Sequence, residues 1–508
     1  MDERGTPPRG HPAITMNPSS VPKTSAPTHT PTASTPPTAS VRPDDKIPLP
    51  QKLAFSFGAS TDYIAAGMTI GVLWIPYFNI GMGISPGTLG VILMILQAWN
   101  AIIDPVMGNL SDNARTRWGR RRPFLVVGSV LTASLFMFLW RVPESLGETG
   151  KIIYLVVFGI LFFTAFSSWA MPYYGMQLEL TPSYDERTRL NAWTTFFGKV
   201  TSLVSGWVMA VITGPWFADP VTGKADIVRG MKTCSWFIAG GILMCGLLPG
   251  VFVKERYYAK ETSRQARDPF WQSIRESAQC PPLWMLIGVT FFLVLGSSSV
   301  ASLNQYLNIY YVMHGDLAGA SVIAGWKASV LVVTGIVCIP LWTWLGEKFD
   351  KKTIVGSMLA VSIFGHLLNY WLLTPAHPYW QLISSVFESG AISAVWLFIP
   401  SMKADVADHD ELHTTRRREG SLNAFYSWFF KASMTCAMGL SGFLLELCLF
   451  DVKLAEQSPE TLQKMFWIYL ILPLVLWGAA IVFIVRYPLT RQRMSEIRTA
   501  LESRRGVL

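Results

Sequence analysis

Gln97, Asn100 and Asp104 recur at intervals of three and four residues, so on a helix two amides and one carboxylate share a face. Oxygen donors in that pattern suit a hard cation, and a single carboxylate can equally carry a proton. The competing reading is that Asp104-Pro105 only shapes the end of its helix. Asp62 and Lys431 lie deep in apolar stretches, about 15 Å from the start at ~1.5 Å per residue. An ionisable group near a membrane centre costs at least ~2.5 kcal/mol, so each needs a cavity or a partner. The two are expected as neighbours, the plainer alternative being a pair that only holds helices together. Lys199, Lys327, His366 and Glu388 are further ionisable groups in apolar stretches. His366 is expected to make a packing hydrogen bond in a peripheral helix. Trp396, Tyr426 and Trp74 offer flat apolar faces close to polar groups, a combination that stacks on sugar rings and binds their hydroxyls.

The elements that must hold these residues are membrane helices. Half the 508 residues are hydrophobic, only 15% are charged and the mean hydropathy is +0.34, too apolar for soluble domains. The charges gather in short clusters between stretches long enough to cross a hydrocarbon core of ~30 Å. Twelve spans are expected, at 53–80, 87–111, 123–141, 151–177, 190–213, 233–253, 283–313, 320–346, 353–374, 379–403, 421–449 and 464–486. The even-numbered loops and the segment from Arg486 onward carry 26 Lys and Arg against seven in the opposite loops, which places both termini in the cytoplasm. Residues 1–50 hold 12 of the 32 prolines among Thr, Ser and Ala and are expected to be a disordered cytoplasmic tail without a signal peptide. The organisation expected is therefore a 51–253 bundle, a 254–282 cytoplasmic linker with a short interfacial helix near 269–278, a 283–487 bundle and a 488–508 tail.

Several functions are disfavoured. The net charge of +9 comes from Lys and Arg flanking apolar spans, which argues for membrane orientation and against nucleic acid. The six cysteines show no metal-ligand spacing. No GxxxxGK[ST] phosphate loop and no catalytic cluster is present, so neither a primary pump nor an enzyme is expected, and no cofactor is called for.

An internal repeat gives the architecture. Leu190-Asn191-Ala192-Trp193 leads to Lys199, and Leu422-Asn423-Ala424-Phe425 leads to Lys431, 232 residues later. Asn191, Thr195 and Lys199 then share one face of the fifth span, as Asn423, Ser427 and Lys431 share one face of the eleventh. A weaker pair is the acidic-then-basic loop after the second span and after the eighth. The expected fold is all-α, twelve transmembrane helices in two pseudo-symmetric six-helix bundles that rock about a central solute path.

The segments Thr61-Asp62, Trp99 to Phe124, Asp405 to Glu411 and Arg416 to Gly420 resemble the glycoside-pentoside-hexuronide:cation symporters, the melibiose-permease branch of the major facilitator superfamily. The resemblance covers most of 53–487. It implies a major facilitator fold in the cell (inner) membrane, with Asp62 binding sugar hydroxyls, Trp396 bordering the sugar, Lys431 close to both substrate and cation, and Asp104 as the retained cation carboxylate. Where that family has a second carboxylate this chain has Asn100, and two sugar-binding positions are Ala170 and Thr195. The departures favour proton over sodium coupling and a solute other than melibiose. The expected activity is cation-coupled symport of a sugar or glycoside by alternating access, by a monomer among membrane lipids. The alternatives are sodium-coupled symport, lysolipid transport or a transporter-like sensor. A cytoplasmic gate is expected from Asp112, Arg115, Arg117, Arg120, Arg121, Arg122, Glu179, Asp185, Arg187, Asp405, Asp408, Arg416, Arg417 and Arg418.

Overall fold

The computed structural model describes residues 46–181, 184–255, 275–414, 419–454 and 456–505. The N-terminal tail up to 45, the interfacial helix expected near 269–278 in large part, and Arg416 to Arg418 lie outside them, as do the side chains of Glu179 and Asp185.

Twelve helical passes run through the described residues. α1 (49–81) is α-helical over Leu49–Asp62 and widens to π winding at Tyr63–Trp74 and Tyr77–Gly81. α2 (Pro86–Asn113), α3 (Arg122–Leu139), α4 (Glu148–Glu179), α5 (Tyr184–Ile212) and α6 (Ile227–Phe252) complete the first half. The second half comprises α7 (281–312), α8 (317–348, broken at Cys338), α9 (351–372), α10 (Gln381–Thr414), α11 (Glu419–Leu447) and α12 (Pro459–Val485). Ten of these are long and apolar enough to cross a bilayer by themselves; α1, with its change of winding, and α10, with its polar run, are the other two.

Local sequence explains where the passes begin and bend. Ser85, Asp226, Asp316 and Ser458 precede α2, α6, α8 and α12, and each side chain accepts a hydrogen bond from the first turn. All four caps lie at the same end, opposite the basic loops. Pro105, Pro172, Pro249, Pro400 and Pro473 sit inside helices, where each removes a backbone donor and favours a bend.

The helix packing repeats with an offset of six. In the first half α3 packs on α4 and α6, α2 on α4, and α1 on α5 and α6. In the second half α9 packs on α10 and α12, α8 on α10, and α7 on α11 and α12. Across the halves α2 meets α11 and α5 meets α8, which is again one relation applied twice. That correspondence is the two-bundle architecture expected from the LNA-aromatic-x5-Lys repeat.

Two elements differ from the sequence expectation. α10 does not stop at 403 but runs to Thr414, so Asp405, Asp408 and Glu411 lie on a helix extension instead of a loop. After Tyr487 the chain forms α13 (Arg491–Arg505) in place of a plain tail. α13 packs on α10 and buries Met494, Ile497 and Leu501, which follow helical spacing that the expectation overlooked.

Candidate functional site

α2 carries Asp104 one residue before its internal proline, and the carboxylate is buried. The hydroxyl of Ser167 on α4 lies 2.6 Å from Asp104 Oδ1 and 2.8 Å from Asn100 Oδ1, so one serine links two members of the expected α2 face. The third, Gln97, has no hydrogen-bond partner among the described residues and is half-buried one turn farther along. Asp104 Oδ2 is ion-paired with Lys431 Nζ of α11. This pair joins the two halves of the molecule. Lys431 retains 41% side-chain exposure against 7% for Asp104, so the lysine borders open space while the carboxylate is enclosed.

Asp62 is not the partner of Lys431. Its Oδ1 accepts a 2.6 Å hydrogen bond from the hydroxyl of Tyr174, again on α4. Ser167 and Tyr174 are seven residues apart, two turns on one face, so α4 presents one hydroxyl to each carboxylate. Asp62 and Asp104 are close enough to interact electrostatically. Trp396 on α10 is 44% exposed, and its ring meets Phe430 edge-on at 5.7 Å, immediately before Lys431. Tyr426 stands apart from this group: it is buried, its hydroxyl lies 2.8 Å from Thr290 Oγ1, and Lys403 Nζ lies 4.8 Å from its ring centroid. Both of its faces of chemistry are thus engaged inside the second half.

The repeated faces match down to their partners and then diverge. Asn191 accepts from Gln177 on α4 at 2.8 Å, and Asn423 accepts from Lys403 on α10 at 2.7 Å. Lys431 has Asp104, whereas Lys199 has no ion pair or hydrogen bond among the described residues. The sequence carries the reason, because α8 has Ile339-Pro340 where α2 has Asp104-Pro105.

At the basic end, Arg121 Nη2 lies 2.8 Å from Asp112 Oδ1 and Arg120 Nη1 donates to the Asp112 carbonyl at 3.3 Å. Glu255, absent from the expected gate, accepts the backbone N–H groups of Arg120, Arg121 and Arg122 at 2.9, 2.8 and 3.1 Å where α3 begins. In the second half Asp405 meets Lys351 at 2.5 Å and Arg498 of α13 at 3.5 Å, and Arg498 also reaches Asp408 at 3.9 Å. Lys351 and Arg498 are likewise additions to the expected set. Arg117 is exposed and outside these pairs. Among the described residues, the ion pairs at this end stay within one half or the other.

The opposite end is sealed between halves. Gly90 on α2 lies against Gly439 and Gly442 of α11, and the Gly87 N–H donates to Glu446 at 3.0 Å. Tyr306 donates to Asn79 at 2.5 Å, and Trp207 donates to Ser329 at 2.9 Å beside Trp326.

Twelve passes, packing that repeats with an offset of six and an ion pair that bridges the halves fit a carrier built of two similar bundles, and comparison with known proteins agrees: the family model described as MFS/sugar transport protein matches residues 55–491. The chain belongs to that family. This membership bears out the resemblance read from Thr61-Asp62, Trp99 to Phe124, Asp405 to Glu411 and Arg416 to Gly420, and makes the chain a multi-pass membrane protein of major facilitator type. Similar members include the putative glycoside/cation symporter YagG of Escherichia coli (strain K12), 24% identical over 91% of this chain and 96% of its own length. Sodium-dependent lysophosphatidylcholine symporter 1-B of Danio rerio is 22% identical, with 91% of each chain covered. The crystal structure of a D-xylose-proton symporter shares the fold at a TM-score of 0.56 and 16% identity, over 86% of this chain and 97% of that one.

Proposed function

We propose that this chain is a proton-coupled symporter of a sugar or glycoside that works by alternating access in the cell (inner) membrane, with both termini and the basic loops in the cytoplasm. The halves are 51–253 and 283–487, joined by the 254–282 linker. The observation that carries the reading is the Asp104 to Lys431 pair across the halves; the resemblance to the melibiose-type symporters adds that Asn100 stands where that family has its second carboxylate. In the empty carrier the pair is internally neutral and can cross between states without an uncompensated charge. A proton on Asp104 frees Lys431, whose exposed ammonium then meets the hydroxyls of a solute bordered by Asp62 and Trp396. Asn100 and Gln97 line the route to the carboxylate. Loading either proton or solute alone leaves a charge or a polar group unmatched, and that mismatch is what couples the two.

On this orientation the contacts of α2 with α11 and of α5 with α8 lie on the outer side, which supports reading the structure as the inward-facing state. The gate pairs within each half, Asp112 with Arg120 and Arg121, and Asp405 with Lys351, exchange partners across the halves when the inner side closes, joined by Asp408, Arg416 and Arg417. Arg120, Arg121 and Asp405 are buried, Asp112 and Lys351 less so, and the pairs act together as a network.

The similarity to a lysophosphatidylcholine symporter favours a second reading, lysolipid transport. Thermal unfolding of the purified protein with a panel of glycosides and with lysophosphatidylcholine separates the two. A ligand at a hundredfold excess over its Kd stabilises the folded state by about 2.7 kcal/mol. A rise in Tm with a glycoside is the expected result; a rise with lysophosphatidylcholine alone would replace the sugar reading.

A further inference from the structure

A second group of buried ionisable residues lies wholly within the second half and takes no part in the scheme above. His366 on α9 has a side-chain exposure of 3% and sits between two oxygens. Its Nε2 is 2.9 Å from the backbone carbonyl of Tyr469 on α12, and its Nδ1 is 3.0 Å from Glu388 Oε1 on α10. A carbonyl oxygen only accepts, so Nε2 must carry a hydrogen. The contact with Glu388 then requires one further proton, held either on Nδ1, giving an imidazolium beside a carboxylate, or on the carboxyl, which donates to Nδ1. Without that proton, a ring lone pair faces a carboxylate at hydrogen-bonding distance and the contact repels.

We infer that His366 and Glu388 together form a one-proton binding site in the second half of the chain, separate from Asp104 and Lys431. The groups facing it from the packed helices are few. α8 supplies Lys327, which interacts electrostatically with Glu388 and whose Nζ lies 3.3 Å from Asn304 Oδ1 of α7. α9 supplies Asn369, whose amide is 3.5 Å from Glu388 Oε1, and α12 supplies the Tyr469 hydroxyl, 3.4 Å from the same amide. When the proton leaves, the cation that still acts on the Glu388 carboxylate is Lys327. A proton therefore decides whether α10 is tied to α9 through His366 or to α8 through Lys327. α8 is also the helix whose Gly325 to Ser329 segment packs on Trp207 of α5 and seals the halves. The site thus connects proton occupancy to the seal by one helix, whichever residue couples transport at the centre.

The test is pH-difference infrared spectroscopy of the reconstituted full-length protein between about pH 5 and 9, the range that brackets an ordinary histidine. Among the steps in this range, the expected result is one, worth one proton per chain, that disappears in His366→Gln and also in Glu388→Gln, because both residues share the proton. Glu388→Asp keeps the acid and is expected to move the same step. Asp104→Asn is expected to leave it in place, so failure here is distinct from failure of the central coupling reading. Spectra in which the two Gln variants keep the step or lose different steps, in which Glu388→Asp leaves it unmoved, or in which Asp104→Asn removes it, would overturn the site.

Discussion

Asp104→Asn is expected to abolish accumulation of solute against its gradient while leaving exchange of solute across a membrane that carries no pH gradient. The amide has nearly the shape of the carboxylate and its oxygen can still accept from Ser167, so the local packing of α2 on α4 survives. What it cannot do is bind a proton or neutralise Lys431. A pH difference of one unit is worth about 1.4 kcal/mol, a tenfold concentration ratio for one proton per solute. The ratio in the variant is expected to fall to about one, with exchange kept. Exchange persists because it only needs the loaded carrier to rock in both directions, and Lys431 is then occupied by solute. The return of the empty carrier is what fails, since it would take an unpaired ammonium through the midplane. Tenfold accumulation by Asp104→Asn under the same gradient would remove this carboxylate from coupling.

Gly442→Val is expected to lower uptake by about a hundredfold or more without unfolding the protein. A Cβ at Gly442 would lie 2.2 Å from the carbonyl oxygen of Pro86 and 3.0 Å from Gly90 Cα, and both are backbone atoms of the opposite half that no rotamer change can move. The side chain therefore acts on the seal between α2 and α11 and on little within either bundle. A carrier that cannot seal on one side cannot expose its site to the other, which is why a methyl-sized obstruction far from Asp104 stops turnover. Spin labels at Val221→Cys and Leu454→Cys, exposed positions in loops of the two halves at this end, report the gap. The variant is expected to shift their distance distribution to longer values. Unchanged distances with normal uptake would show that the glycine contact is incidental.

The architecture was legible because it is written in long-range repetition. The shared LNA-aromatic-x5-Lys segments placed α5 and α11 in equivalent positions, and the packing of the two halves follows that equivalence helix by helix. Hydropathy located the passes but not the winding of α1, because π turns leave the apolar content of a stretch unchanged. It also missed the continuation of α10 and the helix α13, whose charged residues lower the hydropathy although Met494, Ile497 and Leu501 keep helical spacing and are buried where the two helices pack. At the site, spacing put Asn100 and Asp104 on one face and depth put Lys431 near the midplane. Which acid faces Lys431 depends on how α1, α2 and α11 are rotated about their axes, and a one-dimensional pattern does not hold that rotation. Asp62 accordingly meets Tyr174 instead of Lys431. His366 shows the same limit: a packing hydrogen bond was expected and one is present, to Tyr469, but the contact with Glu388 on the neighbouring helix could be seen only in three dimensions.

Lys199 marks where the two halves part company. The repeat supplies a lysine in each, but only the second meets a carboxylate across the seam, because the α8 counterpart of Asp104 is Ile339. The ion pair across the seam is thereby confined to one side of a pseudo-symmetric frame. Symmetry serves the rocking motion, and its breach at a single pair gives the proposed coupling proton its place between the halves.

The pH of a lightly buffered, sodium-free suspension of liposomes containing the protein gives the most direct reading of proton coupling. Addition of the glycoside that raises the Tm is expected to turn the outer medium alkaline as protons enter with the solute, and a protonophore should erase the change. Uptake of that glycoside with no pH change, dependent instead on added sodium, would contradict a proton carried on Asp104.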